Sequence, residues 1–364
     1  MNILFGDLSR EYNEIKKDVD DAIARVLKSG WFVLGKEVNE FEEEFAKYCG
    51  TKYCASCASG TEAIALALMA YGVGPGDEVI TTNMTAVPTI SAISMTGATP
   101  VLVDVNYADC LIDPDKIKKK INSKTKVILP VHLYGKVCDM DKINKLAKKH
   151  KLHVIEDACQ AHGSTYKEKM AGAIGDIGCF SFYPSKNLGC YGDGGAVVTN
   201  SKVLYTKIKK LRNYGQSRRY FHDEIGINSR LDELQAAILK VKLKYINAWN
   251  KRRREIAEVY NDKIINKKII KPVPESLTVQ NFHLYVIKTR HRKKVIDSLD
   301  KNGIQSIIHY PVNIHKQIAY KHLDSSKDGF NVSAKCAREI LSLPIYPQLK
   351  DWEIKKICEV LNEI

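Results

Sequence analysis

Short apolar runs alternate with amphipathic stretches between about residues 50 and 200 of this 364-residue chain. Helical periodicity separates several of these runs, as in residues 140–150, where Ile143, Leu146 and Ala147 form one stripe. Strands that alternate with helices predict an α/β fold, in which helices cover both faces of a mainly parallel sheet. The runs predicted to be buried strands are residues 79–82, 100–103, 127–132, 154–155, 178–182 and 196–199.

Two further patterns predict helices beside this sheet. Residues 61–70 are apolar on all sides, which is typical of a buried helix. Another helix is predicted to begin near Leu231 and to run to about Tyr245. Ser229 and Asp232 at its start resemble a capping pair.

The pattern changes near residue 250, where a smaller α+β unit is predicted. A chain of this length suits one large domain and one smaller domain. We therefore predict a large domain of residues 1–249, with an N-terminal arm, and a small C-terminal domain of residues 250–364. The elements predicted for the small domain are a strand at 283–287, a basic helix to Lys301, a strand at 304–308 and a helix from Val332.

Chemically suited side chains lie at three junctions of the predicted sheet. Asp157 closes an apolar strand, and Lys186 follows in a short loop between two further strands. Ser59, Gly60 and Thr61 come directly before the apolar helix, whose free N-terminal amides can hold a phosphate. Pyridoxal phosphate chemistry needs these three elements. A lysine amine forms a Schiff base with the aldehyde, an acid pairs with the ring nitrogen, and a cradle holds the phosphate.

Each of these elements alone has a simpler interpretation. An aspartate at a strand end is usually a cap or turn residue, a loop lysine is usually a solvated charge, and Ser and Thr are good helix caps. Their order along the chain favours one shared site, because ligands of open α/β sheets bind beyond the carboxyl ends of the strands.

Composition argues against several other classes of protein. The hydrophobic fraction of 45% is ordinary for a soluble globular protein, and no apolar run approaches the roughly 20 residues of a membrane span. The N-terminal segment lacks the basic start of a secretory signal, so we expect a cytoplasmic protein. The ten cysteines include one CxxC, at Cys54 and Cys57. This pattern favours reduced thiols over a zinc site, and no metal is predicted.

The formal net charge of +14 raises the question of a nucleic-acid partner. The excess lies in runs such as residues 116–120 and 251–254, on predicted helices where basic residues usually form solvated faces. No nucleic-acid motif accompanies them, and we predict neither a nucleic-acid nor a membrane partner. A positive field also favours anionic small substrates, such as a nucleotide diphosphate.

Collinear motifs along nearly the whole chain resemble the sugar-nucleotide aminotransferases of the DegT/DnrJ/EryC1/StrS family. That family has the aspartate-aminotransferase fold (the type I fold of pyridoxal phosphate transferases), with active sites shared across a homodimer. The resemblance therefore implies both properties here. The motifs are residues 29–35, 41–46, 59–61, 97–100, 130–135, 156–158, 228–237 and 309–311.

The resemblance also implies roles for individual residues at a pyridoxal 5′-phosphate site. Lys186 would form the Schiff base, Asp157 would face the ring nitrogen, and Gln160 would lie near the ring hydroxyl. The residues that would bind the phosphate are Gly60, Thr61, Ser181 and, from the partner subunit, Asn228.

The chain departs from the family at the position where relatives often place an aromatic residue over the cofactor ring. That position is Ala86. The residue that covers this face is left open, and His162 is a candidate for one side.

The reaction implied by the resemblance is transfer of an amino group from L-glutamate to a nucleotide-linked keto-deoxysugar. Tyr183, His309 and Tyr310 would line the acceptor site, with Trp31 or Phe32 near its edge. The simpler alternative is that His309 and Tyr310 only pack a domain interface.

Two other functions remain as alternatives. One is a same-fold sugar dehydratase, although relatives of that type carry histidine in place of Lys186. The other is a non-catalytic regulatory protein that retains the cofactor fold. The sequence leaves three properties of the substrate and product open: the nucleotide base, the 3-keto or 4-keto position, and the configuration of the new amine. The segments at residues 213–215 and 228–237 resemble the family branch that acts on 3-keto sugars more than the 4-keto branch.

Overall fold

Helices and strands alternate along the chain much as the apolar pattern predicts, in a computed structural model that describes residues 2–273, 276–323 and 329–364. The α-helices are α1 Leu8–Ser29, α2 Lys36–Cys49, α3 Gly60–Ala70, α4 Val87–Met95, α5 Pro114–Ile117, α6 Met140–His150, α7 Lys202–Leu211, α8 Glu233–Leu243, α9 Ile246–Lys263, α10 Arg292–Lys301, α11 Asn331–Glu339 and α12 Asp351–Asn362. The strands are β1 Tyr53–Cys57, β2 Glu78–Thr82, β3 Thr99–Val103, β4 Thr125–Leu129, β5 His153–Asp157, β6 Thr165–Tyr166, β7 Lys169–Met170, β8 Ile177–Ser181, β9 Gly195–Thr199, β10 Gln216–Arg218, β11 Phe221–His222, β12 Thr278–Val279, β13 Tyr285–Lys288 and β14 Ile340–Leu343.

The central sheet contains seven strands in the spatial order β1-β9-β8-β5-β4-β2-β3. Strand β9 runs antiparallel to both of its neighbours, and the other adjacent pairs are parallel. The expected α/β fold with a mainly parallel sheet is therefore confirmed. All six predicted strands of this sheet are present. Strand β1 was not predicted, because its residues are mostly small rather than branched or aromatic.

Helices pack on both faces of the sheet. Gly60 at the start of α3 lies so close to β8 that an added Cβ would come within 2.6 Å of the Ser181 Cβ. On the opposite face, the ring centroids of Phe45 in α2 and Phe180 in β8 are 5.1 Å apart. Successive strand residues point to opposite faces, so Ser181 and Phe180 mark the two sides of β8.

Two predicted strands differ from the structure: one is shorter and the other does not form. Strand β4 ends at Leu129 rather than at residue 132, because Pro130 has no N–H to donate to the sheet. The predicted strand at 304–308 is wrong. Its residues form only isolated bridges, in which Ile304 pairs with Ile3 and Ile307 pairs with Ser342.

The predicted capping pair before α8 is also wrong. Asp232 precedes the helix, but its side chain caps no N–H group there. The Ser229 hydroxyl instead accepts a hydrogen bond from the Ala58 N–H at 3.1 Å. This contact joins the segment before α8 to the segment before α3.

A second apolar core lies under α9, α10 and α12 and against β13 and β14. Ile3 from the N-terminal segment is buried in it, whereas α9 contributes Ile246 to the main core and Ile256 to the second core. The domain boundary near residue 250 stays a prediction, and α9 runs continuously through that position. Within the described ranges, no helix combines the length and the apolar character that a membrane span requires.

The Glu156 carboxylate is fully buried and organises the end of β5. It accepts hydrogen bonds from the N–H groups of Gly172, Ile174 and Gly175 at 2.8, 2.7 and 2.6 Å. His132 Nε2 lies 2.8 Å from the same carboxylate, and His132 Nδ1 accepts from a backbone N–H. His132 therefore donates through Nε2, and all these donors converge on one side chain.

We expect the substitution Glu156→Gln to destabilise the protein by about 3 kcal/mol, because the amide turns a donor toward buried N–H groups that then lose their acceptor. Urea unfolding of the purified protein measures this change. Glu43→Gln makes the same change at an exposed glutamate. It should leave the unfolding midpoint unchanged. Equal midpoints for Glu156→Gln and the parent protein would contradict the anchoring role.

Candidate active site

The carboxyl ends of β5 and β8 bring the predicted site residues to one edge of the sheet. Asp157 is the last residue of β5 and pairs in parallel register with Cys179 of β8. Ser181 ends β8, and Lys186 lies in the loop that follows it. Gly60 packs directly against Ser181, as the 2.6 Å approach of its added Cβ shows. The carboxylate, the lysine and the start of α3 therefore meet at one cleft.

The N-terminus of α3 has the properties of a phosphate cradle. The Ser59 hydroxyl accepts from the Glu62 N–H at 3.2 Å and so caps the helix. In the part of the chain that the structure describes, the N–H groups of Gly60 and Thr61 donate to no acceptor. Free amides at a helix start attract an anion. This edge of the cleft therefore fits the phosphate of a cofactor.

The Asp157 side chain is only 5% exposed and is held by two donors. The Cys159 N–H donates to its Oδ1 at 3.2 Å, and the Thr89 hydroxyl donates to its Oδ2 at 2.8 Å. The Thr89 oxygen lies 2.9 Å from the Thr85 hydroxyl. A carboxylate can accept further hydrogen bonds beyond these two. Asp157 is therefore able to receive a protonated ring nitrogen.

The Lys186 amine lies near Asp157 and Cys159. Burial lowers the pKa of Lys186, whereas its electrostatic interactions with Cys159 and Asp157 act in the opposite direction. Its backbone N–H donates to the Tyr183 carbonyl at 2.8 Å, which fixes the loop. Among the described residues, no side chain forms a hydrogen bond with the Lys186 amine. The amine is therefore available for covalent chemistry, and its lowered pKa favours the neutral, nucleophilic form.

Gln160 connects the cleft to the segment that carries His309 and Tyr310. Its Oε1 accepts from the Tyr134 N–H at 2.7 Å, and its Nε2 donates to the Tyr310 hydroxyl at 3.3 Å. The Tyr134 hydroxyl in turn donates to the His309 carbonyl. Gln160 and Tyr310 are thus brought together with Asp157, and burial raises the pKa of Tyr310 to about 12.

The His309 ring also belongs to this cleft. Burial, and next the charge of Lys186, lower the pKa of His309 to about 4. Its Nδ1 lies 2.9 Å from the buried Ser342 hydroxyl on β14. The ring is therefore neutral at ordinary pH, and its Nε2 is the nitrogen left for a ligand.

His162 lies on a different surface of β8 from the cradle. Its ring is fully buried, with its centroid 5.2 Å from that of Phe180 and 5.9 Å from that of Phe182. Its two nitrogens are buried, and neither forms a hydrogen bond with a side chain of the described residues. Burial, and next the charge of Lys186, lower its pKa to about 3. The structure therefore surrounds His162 with phenyl rings, on the side of β8 opposite the Ser181 side chain.

The other predicted residues lie at the surface of the single chain. Trp31 is 63% exposed, Phe32 47% and Tyr183 55%. Asn228 is also exposed and pairs through its backbone with Asn213. Their roles at the site stay predictions.

Sequence reasoning missed Thr85, Thr89, Tyr134 and Ser342. Thr85 lies just before α4 and Thr89 lies in its first turn, and their spacing of four residues is a weak signal of a shared polar contact. Tyr134 lies in a recognised motif, but its contact with Gln160 depends on a left-handed backbone turn at Tyr134, with φ of 61°. No signal in the sequence joins Ser342 to His309.

Comparison with known proteins decides the family. The model of the DegT/DnrJ/EryC1/StrS aminotransferase family matches residues 13–362. The chain belongs to this family. Its members are pyridoxal phosphate-dependent aminotransferases, and solved structural neighbours include the pyridoxal and pyridoxamine forms of the cofactor.

Two curated relatives from the DegT/DnrJ/EryC1/StrS family are similar over nearly the whole chain. One is the dTDP-3-amino-3,6-dideoxy-alpha-D-galactopyranose transaminase of Aneurinibacillus thermoaerophilus, at 46% identity over 99% of each chain. The other is the UDP-2-acetamido-2-deoxy-3-oxo-D-glucuronate aminotransferase of Pseudomonas aeruginosa, at 42% identity over 99% of each chain.

A solved structure confirms the fold of the family for this chain. The crystal structure of DesV from Streptomyces venezuelae, in complex with a ketimine intermediate, superimposes with a TM-score of 0.97. It is 42% identical, and the match covers 100% of this chain and 98% of DesV. The fold is therefore that of the pyridoxal phosphate-dependent aminotransferases, as expected.

We expect the substitution His162→Leu to reduce the acid sensitivity of the protein. Above its ordinary pKa of 6.5, His162 is neutral in both the folded and the unfolded chain. As the pH falls below 6.5, the unfolded chain binds a proton that the buried ring does not. This one residue therefore costs about 2 kcal/mol of stability at pH 5 relative to pH 7.

Urea unfolding at pH 7 and pH 5 measures this difference for the parent protein and for His162→Leu. His291→Leu, at an exposed position, is the matched control and should lose as much stability as the parent. A His162→Leu protein that loses the same stability as the parent would show that the ring titrates normally in the folded state.

Proposed function

We propose that this chain transfers an amino group from L-glutamate to the C3 keto group of a nucleotide-linked sugar. The observation that carries the proposal is the meeting of Lys186, Asp157 and the free amides of Gly60 and Thr61 at one sheet edge. Over the whole reaction the donor CH–NH₂ becomes C=O and the sugar C=O becomes CH–NH₂. No other oxidant or reductant is needed.

Each residue of the chain has a distinct task in this proposal. When bound, pyridoxal phosphate supplies an aldehyde that takes up the amino group and a ring that accepts electrons. The amides of Gly60 and Thr61 and the hydroxyl of Ser181 would hold its phosphate. Asp157 would hold a proton on the ring nitrogen. Lys186 would carry the proton between the substrate carbon and the cofactor, a task that its lowered pKa supports.

The acceptor side of the cleft is assigned to His309 and Tyr310. Both are tied to the cofactor region, His309 through the charge of Lys186 and Tyr310 through Gln160. A neutral imidazole and a protonated phenol are suitable partners for sugar hydroxyls. Tyr183, Trp31 and Phe32 are exposed, and we propose that they offer apolar surface to an extended ligand.

The C3 position is supported by what the two relatives share. Their printed names give different nucleotides, dTDP and UDP, and different sugars, but in both the nitrogen chemistry is at C3. The base and the substituents of the sugar therefore differ between these two relatives, whereas the C3 position is the same in both. The assignment of L-glutamate as donor is supported by the family resemblance alone.

We also propose a cytoplasmic location. All ten cysteines are free thiols, and all but Cys159 are buried. Free thiols in this number are typical of proteins in a reducing compartment.

An end-point assay with purified protein, pyridoxal phosphate, L-glutamate and a panel of 3-keto and 4-keto nucleotide sugars tests the reaction. We expect amination of a 3-keto member, read by mass. Lys186→Ala should lower the rate by about 10²–10⁴-fold, because it removes the group that carries the proton.

Lys293→Ala is the matched control for the loss of a lysine. It should react at the parent rate, because its amine is exposed and pairs with Asp297 on the surface of α10. Failure to aminate any nucleotide sugar, with cofactor bound and simple keto acids aminated, would overturn the acceptor assignment. Amination of only 4-keto members would overturn the C3 position.

We propose a homodimer in which Asn228 of one subunit reaches the phosphate site of the other. Large aromatic side chains remain exposed on the single chain, at Trp31, Phe32, Tyr220 and Phe221. Asn228 is exposed as well, and its side chain forms no hydrogen bond within the described ranges. Exposed aromatic side chains are the kind of surface that a partner subunit covers.

Mixing two inactive variants tests whether the active site is shared. Lys186→Ala lacks the amine, and Asn228→Asp places a negative charge near the phosphate. After subunit exchange, each mixed dimer should contain one site with an intact Lys186 and an intact Asn228. We expect activity to return to about one quarter of that of the parent protein, since half of the dimers are mixed. No recovery, with mixed dimers present, would place Asn228 in its own subunit's site.

A further inference from the structure

Thr89 and Thr85 form a directed chain of hydroxyl groups behind Asp157. The Thr89 hydroxyl donates to Asp157 Oδ2 at 2.8 Å, and the Thr85 and Thr89 hydroxyl oxygens are 2.9 Å apart. All three residues are buried: Thr89 is 1% exposed, Thr85 is 4% exposed and Asp157 is 5% exposed. They join the start of α4 to the end of β5, two elements that are distant in sequence.

The direction of this chain follows from the ionised carboxylate. A carboxylate only accepts hydrogen bonds, so the single Thr89 proton is committed to Asp157. The Thr89 oxygen is then free to accept, and Thr85 becomes the donor to it. Each bond polarises the next toward the carboxylate, which favours the negative charge on Asp157.

The two hydroxyls are not needed to begin helix α4. Ala86 precedes the helix without a side-chain cap, and the Thr89 N–H donates to the Ala86 carbonyl at 3.3 Å. A helical threonine often returns its hydroxyl to the carbonyl four residues earlier. Thr89 instead directs its hydroxyl across to β5. The contact therefore serves Asp157 rather than the helix.

Asp157 needs such donors because it is nearly buried. An isolated carboxylate in this position is unfavourable unless hydrogen bonds stabilise its charge. The Cys159 N–H supplies one donor at Oδ1, at 3.2 Å, and the shorter bond from Thr89 supplies the other at Oδ2. Together they fix the plane of the carboxylate.

We propose that Thr89, supported by Thr85, is a positioning residue that holds the Asp157 carboxylate oriented toward the ring nitrogen of pyridoxal phosphate. The inference rests on the proposed role of Asp157. Without the Thr89 donor, the carboxylate is less well oriented and holds the proton of the ring nitrogen less firmly. The ring then carries less positive charge, so the Lys186 nitrogen that is joined to the cofactor keeps its own proton to a higher pH.

The test is a pH titration of the visible absorbance of the cofactor bound to the purified protein, together with its dissociation constant. For Thr89→Val, which keeps the shape and removes the hydroxyl, we expect the midpoint to rise by about one pH unit. Cofactor binding should weaken by about tenfold. Thr89→Ser should restore both values, and Thr85→Val should shift the midpoint less, in the same direction.

Thr81→Val is the matched control. Thr81 is also buried, but its hydroxyl donates to the Leu129 carbonyl at 2.8 Å and not to Asp157. Its removal should leave the midpoint unchanged. An unshifted midpoint in Thr89→Val, or an equal shift in Thr81→Val, overturns the inference. If Thr89→Val does not fold, an unshifted midpoint in Thr85→Val overturns it. A parent protein that binds no cofactor instead refutes the proposed function.

Discussion

The Glu156 carboxylate is the constraint on which the geometry of the cleft depends. A buried carboxylate is unfavourable unless its oxygens are fully hydrogen-bonded, and Glu156 meets this condition with three backbone N–H groups and His132. These contacts fix the end of β5 against the loop at residues 172–175. Since the next residue is Asp157, whose side chain points to the opposite face, the anchor on one face determines where the functional carboxylate lies on the other.

Buried carboxylates hold other segments around the cleft in the same way. Glu233 of α8 accepts from the N–H groups of Gly35, Glu37 and Val38, which fixes the start of α2 beside the loop that carries Trp31. Asp104, beyond the end of β3, accepts from the N–H groups of Val332 and Ser333 at the start of α11. Burial acts to raise the pKa of Asp104, but the donors from Ser333, Val105 and Val332 outweigh it and hold the pKa below its ordinary value. Acidic side chains thus satisfy free amides at element ends, and these charge-assisted caps bring distant segments together.

The parts of the fold that follow from local pattern could be predicted from the sequence. The apolar runs indicate six strands of the sheet, and the all-apolar segment indicates α3. The order of Gly60, Asp157 and Lys186 indicates their shared edge, because parallel strands end on the same side. Contacts between distant segments could not be predicted in this way. The bond of Thr89 to Asp157 spans 68 residues, and that of Ser342 to His309 spans 33. His162 shows the same limit, because the sequence does not indicate that the chain returns among Phe180 and Phe182, where a neutral ring packs as an apolar group.

Charge in the cleft is concentrated on few groups, although the chain carries a net charge of +14. Burial, and next the charge of Lys186, lower the pKa values of His162, His283 and His309, so these rings are neutral around the lysine. The start of α3, the proposed phosphate cradle, offers backbone amides rather than cationic side chains. In the proposed site, no protonated imidazole among these three rings competes with Lys186 for Asp157. Lys186, whose pKa burial lowers, can then take up and release a proton at this edge of the sheet, as the proposed amino transfer requires.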